Sequence, residues 1–291
     1  MTYTYNAPAK INIGLDVIRK REDGYHDLRM IMQTVTLFDT LTFDIKAGNN
    51  VSMTCTDSSL PIDSGNLVIK AVNMLREEFG ITADIKVHLE KRIPVAAGMA
   101  GGSSDAAAAF MAVNNIFGLG LSRQDLMKRA VNLGADIPYC IMQGTALSEG
   151  IGDILTPIAT LRDIYILIAT PGINVSTGFV YGSLKIDDST IHPDIDAIIR
   201  AMDDNNARET GRLLGNVLET VTIPAYPVID DLKRLMTAHG AIGSLMSGSG
   251  PTVFGIYLDK NTARNAADIC KEKIAGLFCA VTTCYSPELP H

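Results

Sequence analysis

The residues best placed to do chemistry lie in PVAAGMAGGSS, Pro94 to Ser104, between an alternating apolar run and an alanine-rich one. A helix N-terminus exposes unpaired backbone N–H groups and a partial positive charge, and glycine lets a phosphate approach them closely. Gly98, Gly101 and Gly102 stand where that approach is needed, and Ser103 or Ser104 could add a hydroxyl to a phosphate or to Mg²⁺. The same glycines would also make a plain strand-to-helix turn. The stretch lacks the Gly-Lys-Ser/Thr of a Walker loop and the Gly-x-Gly-x-x-Gly of a dinucleotide fold.

Two further residues could act on such a phosphate. Lys10 and Asn12 alternate with Ile11 and Ile13, which puts them together on the polar face of one half-buried strand over residues 10–17. Asp136 follows the helix-ending Gly134, where taken alone it reads as an ordinary turn aspartate. A second small-residue cluster, Ser247 to Pro251, separates two apolar runs; it suits a hairpin turn or a loop lying beside a nucleotide-holding helix. Tyr25 and His26 follow an Asp23-Gly24 turn and, taken alone, read as surface aromatics.

These residues need elements to position them. The β-rich run from Met30 to Ile45 follows the Asp23-Gly24 turn and suggests antiparallel hairpins. A helix is expected from Asn66 to Gly80, with Val68, Ala71, Val72 and Leu75 on one stripe. A strand through Ile85, Val87 and Leu89 leads into Pro94, and the alanine-rich helix beyond the loop closes at Gly118. Ser122 and Asp125 open another helix. YILIA at 165–169 begins a second half expected to hold helices to about residue 237 and then two strands around the second glycine cluster.

Bulk composition sets the limits. A chain of 291 residues exceeds the usual single domain, and the turn signals of 150–157 place a boundary near residue 155, giving domains 1–155 and 156–291. A net charge of −7 argues against a nucleic-acid surface, which needs clustered Lys and Arg. The five cysteines are scattered, odd in number and never spaced as Cys-x-x-Cys, so neither a disulfide framework nor a zinc site is suggested, and the five histidines make no metal-binding spacing. No apolar run approaches the roughly 18 residues of a membrane span, and the start lacks signal-peptide character, so a cytoplasmic location without membrane association is expected.

Together and in this order, APAKIN at 7–12, PVAAGMAGGSSDAA at 94–107, GADIP at 134–138 and SGSGPTVF at 247–254 resemble the GHMP kinases, with DGYH at 23–26 and GIGDILTP at 150–157 as further marks. The resemblance implies a two-domain α+β fold: an N-terminal domain similar to the second domain of ribosomal protein S5, a C-terminal ferredoxin-like domain, and a site in the cleft between them. It implies ATP with Mg²⁺ as cofactors and phosphorylation of a hydroxyl on a small cytidylated substrate, on the route to isoprenoids, by a monomer or weak homodimer. Lys10 and Asp136 match the family's catalytic pair. Pro94, Val95, Ala96, Ala97, Gly98, Met99, Ala100, Gly101, Gly102, Ser103 and Ser104 match its ATP phosphate loop, and Asn66 a position near the adenine. Asn12 matches a substrate contact, Tyr25 and His26 the recognition of cytosine, and Thr177 with Tyr181 a second aromatic edge of that pocket. Ala96, Ala97, Met99 and Ala100 stand where glycines and leucine are common in relatives, which implies a stiffer loop. Other kinases of the family, acting on homoserine, mevalonate or a sugar, and a nucleotide-binding regulator without activity are the alternatives.

Overall fold

The computed structural model describes residues 1–286. Eleven strands and ten helices alternate irregularly. The first half holds β1 (Thr2–Lys20), β2 (His26–Lys46), β3 (Val51–Cys55), α1 (Leu67–Glu78), β4 (Asp84–Glu90), α2 (Gly101–Ile116), α3 (Arg123–Ala130), α4 (Ile137–Met142), β5 (Thr145–Gly150) and β6 (Ile154–Pro157). The second holds β7 (Tyr165–Thr170), α5 (Thr177–Ser183), α6 (Ile195–Asp203), α7 (Ala207–Leu213), β8 (Gly215–Asn216), α8 (Glu219–Ala225), α9 (Val228–Ala238), β9 (Gly243–Met246), β10 (Val253–Tyr257), α10 (Lys260–Lys273) and β11 (Phe278–Thr282).

The chain forms two compact units and passes between them several times. The first comprises residues 1–9, 37–95 and 100–142; the second comprises 10–36, 96–99 and everything from Gln143 on. β1 and β2 therefore give residues to both.

In the first unit the later part of β2 pairs antiparallel with β4, from Thr40 opposite Glu90 to Lys46 opposite Asp84, and β3 joins β4 in parallel. Helices α1 and α2 pack together, and α4 contacts α2 and α3. The local causes are those the sequence announces. Asn66 caps α1, its Oδ1 accepting from Val68 N at 2.9 Å, and Gly80 follows the helix with φ +61°. Ser122 and Asp125 close a reciprocal capping box at α3.

In the second unit the early part of β2 pairs with β5, Leu28 opposite Gly150 to Gln33 opposite Thr145, and β6 folds back on β5. A separate antiparallel sheet has the order β11-β7-β10-β9, with α9 and α10 packed against it. Numbered within that sheet the order is 4-1-3-2, the ferredoxin-like arrangement, and all three pairings are antiparallel.

One expectation needs correction. β1 was expected to be half-buried, but every residue from Ala7 to Val17 is buried on both faces. Its polar face is covered by chain that arrives from far away: Met99 O accepts from Lys10 N at 3.1 Å, and Ser247 Oγ accepts from Asn12 N at 3.3 Å. Among the described residues no helix is long and apolar enough to cross a membrane.

Candidate active site

The loop that precedes α2 takes its shape from alternating backbone handedness. Ala96, Gly98 and Ala100 have φ of 53°, 73° and 55°. Turns between right- and left-handed residues aim successive N–H groups into one concavity, the geometry of an anion nest. Two of the three are alanines, for which the left-handed region is disfavoured by roughly 1–2 kcal/mol each, so the loop holds strain that its surroundings must sustain.

Gly98 is fixed by crowding. A Cβ there would lie 2.4 Å from the carbonyl oxygen of Ser247, and Ser247 Oγ donates to Gly98 O at 3.0 Å. The small-residue cluster 247–251 is thus the bed on which the middle of the loop rests. Asn216 steadies that bed by donating to Met246 O and Gly248 O, both at 2.8 Å.

Helix α2 begins without a side-chain cap; its N-cap is Ala100. The first turn therefore presents free amides and the positive end of a 16-residue dipole. Ser103 is partly exposed there. Ser104 is buried and donates its hydroxyl to Pro8 O at 2.7 Å, which ties α2 to β1.

On β1, Lys10 Nζ donates to Asn12 Oδ1 at 2.8 Å. Lys10 is 6% exposed and Asn12 fully buried, and Lys10 makes no ion pair among the described residues. Burying an ammonium without a counter-charge is costly, so this face is built to receive an anion. Asp136, in the first unit, stands immediately before α4 and starts it by accepting from Cys140 N at 3.1 Å through its backbone oxygen. Its carboxylate has no hydrogen bond or ion pair among the described residues.

The candidate substrate residues divide. His26 lies against Tyr181, ring centroids 5.3 Å apart and tilted by 43°. Thr177 Oγ1 is 2.9 Å from Ser249 Oγ, so one helical turn of α5 is held at the glycine cluster and at His26. Burial, with help from the charge of Lys20, lowers the His26 pKa below its ordinary value and favours the neutral ring. Tyr25 is 62% exposed and makes no ring contact among the described residues. Asn66 is occupied on both sides of its amide, by Val68 N and by Pro61 O, in capping α1.

Sequence reasoning missed a buried charge cluster at the loop's ends. Lys91 Nζ bonds Asp105 Oδ2 at 2.8 Å and also Asp39 Oδ2. The other oxygen of Asp39 accepts from Arg92 N and Ile93 N, the last amides before Pro94. Gly101 gives the cluster room, since a Cβ there would meet Lys91 Nζ at 3.3 Å. One ammonium cannot neutralise two buried carboxylates, and burial pushes the Asp105 carboxyl up to about 7. The signal was there in the polar Lys91-Arg92 before Pro94 and in Asp105 one residue past the serines, but Asp39 lies 52 residues from Lys91.

Family models described as "GHMP kinases N terminal domain" and "GHMP kinases C terminal" match residues 66–144 and 191–276. The chain is 47% identical over 281 residues to a 4-diphosphocytidyl-2-C-methyl-D-erythritol kinase of Lachnospira eligens, covering 97% of this chain and 98% of that one. It is 44% identical to the enzyme of the same name from Caldicellulosiruptor saccharolyticus, covering 96% of each. A crystal structure of 4-(cytidine 5'-diphospho)-2C-methyl-D-erythritol kinase superposes with a TM-score of 0.83 at 30% identity, over 97% of this chain and 99% of that one. A homoserine kinase from Cytophaga hutchinsonii shares the fold, with a TM-score of 0.81 at 22% identity over 97% and 95% of the two chains. With its α+β architecture and these likenesses over nearly its whole length, the chain belongs to the GHMP kinase family.

Proposed function

We propose that this chain transfers the γ-phosphoryl group of ATP to the 2-hydroxyl of 4-diphosphocytidyl-2-C-methyl-D-erythritol, a step toward isoprenoid precursors. The observation that carries this reading is the buried ammonium of Lys10, without an ion pair among the described residues, on a strand whose backbone is bonded to Met99 of the proposed phosphate loop. The curated relatives at 44–47% identity bear the name of that kinase, which favours its substrate over homoserine, mevalonate or a sugar.

Phosphoryl transfer asks the protein mainly for positioning and charge stabilisation. The open amides at the start of α2 bind the triphosphate, with Pro94 to Ser104 wrapped around it and Asn66 holding the start of α1 near the adenine. Asp136 accepts the proton of the attacking 2-hydroxyl. Lys10 offsets charge on the transferred group, and Asn12 holds both Lys10 and the substrate. His26, Tyr25, Tyr181 and Thr177 take the cytidine end, so binding energy remote from the reacting atoms places the hydroxyl. Residues 1–155 supply the ATP-binding and catalytic part, and 156–291 complete the substrate site.

Among the described residues no group of three His, Cys, Asp or Glu is placed to hold a metal ion. Ser103, partly exposed in the first turn of α2, would be the residue to meet a Mg²⁺ that arrives with the triphosphate, and that ion would offset phosphate charge. The deciding experiment is phosphorus NMR of the product formed from ATP and the cytidylated alcohol, run beside a coupled ADP assay with homoserine, mevalonate and sugars. A new phosphomonoester signal on the cytidylated alcohol alone is expected; turnover of another alcohol instead would replace the substrate assignment.

A further inference from the structure

We propose that Met30 is a positioning residue for phosphoryl transfer: its thioether sets the orientation of the Asn12 amide and, through that amide, the place of the Lys10 ammonium. The inference rests on the function proposed above.

The geometry is a short relay on one face. Asn12 Nδ2 donates to Met30 Sδ at 3.3 Å, while Asn12 Oδ1 accepts from Lys10 Nζ at 2.8 Å. An amide has a donor side and an acceptor side, and its two orientations fill the same space. A thioether has lone pairs and no proton, so it is met favourably only by the NH₂ side. With Met30 on one flank, the carbonyl oxygen of Asn12 is committed to the other flank, where Lys10 lies. Reversal would set NH₂ against an ammonium and leave the carbonyl facing a group that cannot donate. Asn12 is fully buried, so water does not supply a substitute partner.

Met30 is itself held. It is 5% exposed, and Ser148 is its cross-strand partner in the β2–β5 pairing. Gly152, with φ +108°, passes so close that a Cβ there would lie 3.2 Å from Met30 Cε. This gives the glycine of the GIGD stretch a physical reason: it lets the hairpin between β5 and β6 close over the methyl end of Met30. Ser148, the cross-strand partner of Met30, has a buried Oγ without a hydrogen-bond partner among the described residues, which makes it the control for a neighbouring polar group.

The test uses the full chain and a coupled ADP assay with ATP and the cytidylated alcohol. Met30→Leu keeps the volume and removes the acceptor. A kcat about five- to tenfold lower is expected, as for loss of one orienting hydrogen bond, with both KM values within about twofold of wild type. Met30→Gln, whose Oε1 accepts, restores most of that loss, and Ser148→Ala turns over like wild type. In an Asn12→Ala background Met30→Leu costs nothing further, because the group it orients is gone. Wild-type turnover by Met30→Leu, an additive loss in the double variant, failure of Met30→Gln to recover, or a Met30→Leu-like loss in Ser148→Ala would each overturn the proposal.

A second measurement does not depend on turnover. The Asn12 side-chain amide signals, assigned by their disappearance in Asn12→Ala, are expected to shift and to exchange faster in Met30→Leu. Unchanged signals overturn the inference even if the kinase reading stands, whereas absent turnover in wild type with shifted signals removes the kinase reading alone.

Discussion

Lys10 and Asn12 meet two residues apart on one strand, Nζ to Oδ1 at 2.8 Å, inside a face from which solvent is nearly absent. A neutral amide satisfies one donor of the ammonium but cancels none of its charge. The protein therefore holds an electrostatic deficit in its resting form that a phosphate would relieve. Lys10→Met should make the ligand-free protein more stable, by about 1–2 kcal/mol, as when an uncompensated buried charge is replaced by an apolar group of similar length. It should also lower kcat at least about 100-fold. Thermal melts beside the ADP assay check both; a destabilised Lys10→Met would show that the ammonium is paired in solution.

Asp136 is the complementary case, a carboxylate with no partner among the described residues at the start of α4. Asp136→Asn keeps size and polarity but cannot take a proton. A fall in kcat of at least about 100-fold with little change in KM is expected of a lost general base. Near wild-type turnover would remove Asp136 from that role.

The loop 94–104, proposed to hold the phosphates, makes opposite predictions for two of its small residues. Gly98→Ala places a Cβ 2.4 Å from Ser247 O, at φ +73°, against backbone that cannot swing aside. A loss of about 2–4 kcal/mol is expected from overpacking and strain together, with a raised KM for ATP. Ala100→Gly relieves a left-handed alanine at φ 55°; that gain of about 1 kcal/mol offsets the extra backbone entropy of glycine, so stability should hardly move. Chemical denaturation of the two variants separates the cases.

Where signals are local, the sequence was enough. Asn66 and Gly80 bracket α1, the Ser122–Asp125 box opens α3, and the alternation of Ile85, Val87 and Leu89 is β4, because caps and pleats depend on residues within one turn or one strand. The covering of β1 was not legible: the hydroxyl that accepts from Asn12 N comes from Ser247, 235 residues on. No linker showed in the composition because the chain crosses repeatedly between its units, drawing 10–36 and 96–99 into the second. The motifs of the site could be read, since spacing preserves them. Partners such as Met30 for Asn12 and Asp39 for Lys91 could not, since only the packed sheet brings them together.

The His26–Tyr181 contact carries a pH prediction. Burial lowers the His26 pKa, so the neutral ring that lies against Tyr181 persists to more acid pH than an ordinary histidine, about 6.5, would allow. KM for the cytidylated substrate should stay level as pH falls from neutrality through that value and rise only below it. In His26→Gln the acid rise should vanish while KM is higher throughout. A rise centred on the ordinary histidine value in wild type would place the titrating group elsewhere.

Asp105 gives the last prediction, with the opposite sign. Its carboxyl is raised to about 7 by burial beside Asp39, against the pull of Lys91, so the folded state keeps a proton that the unfolded chain loses near the ordinary 3.8. A group raised on folding stabilises most below its unfolded pKa, and the contribution is lost as pH rises through the folded value. Wild type should therefore lose stability from about pH 4 to about 7 on account of this residue. Cys55, which also faces the cluster, has its thiol pushed above the ordinary range by burial and does not titrate in that window. Asp105→Asn mimics the protonated acid: its carbonyl accepts from Lys91 and its NH₂ donates to Asp39, with no proton to lose. The stability of Asp105→Asn relative to wild type should grow as pH rises from about 4 to about 7, by an amount on the order of 1–3 kcal/mol, and level off above. Urea titrations at a series of pH values measure that difference directly. A difference that stays constant or shrinks between about pH 4 and 7 would show that Asp105 is ionised in the folded protein throughout that range and that Lys91 pairs with two full negative charges.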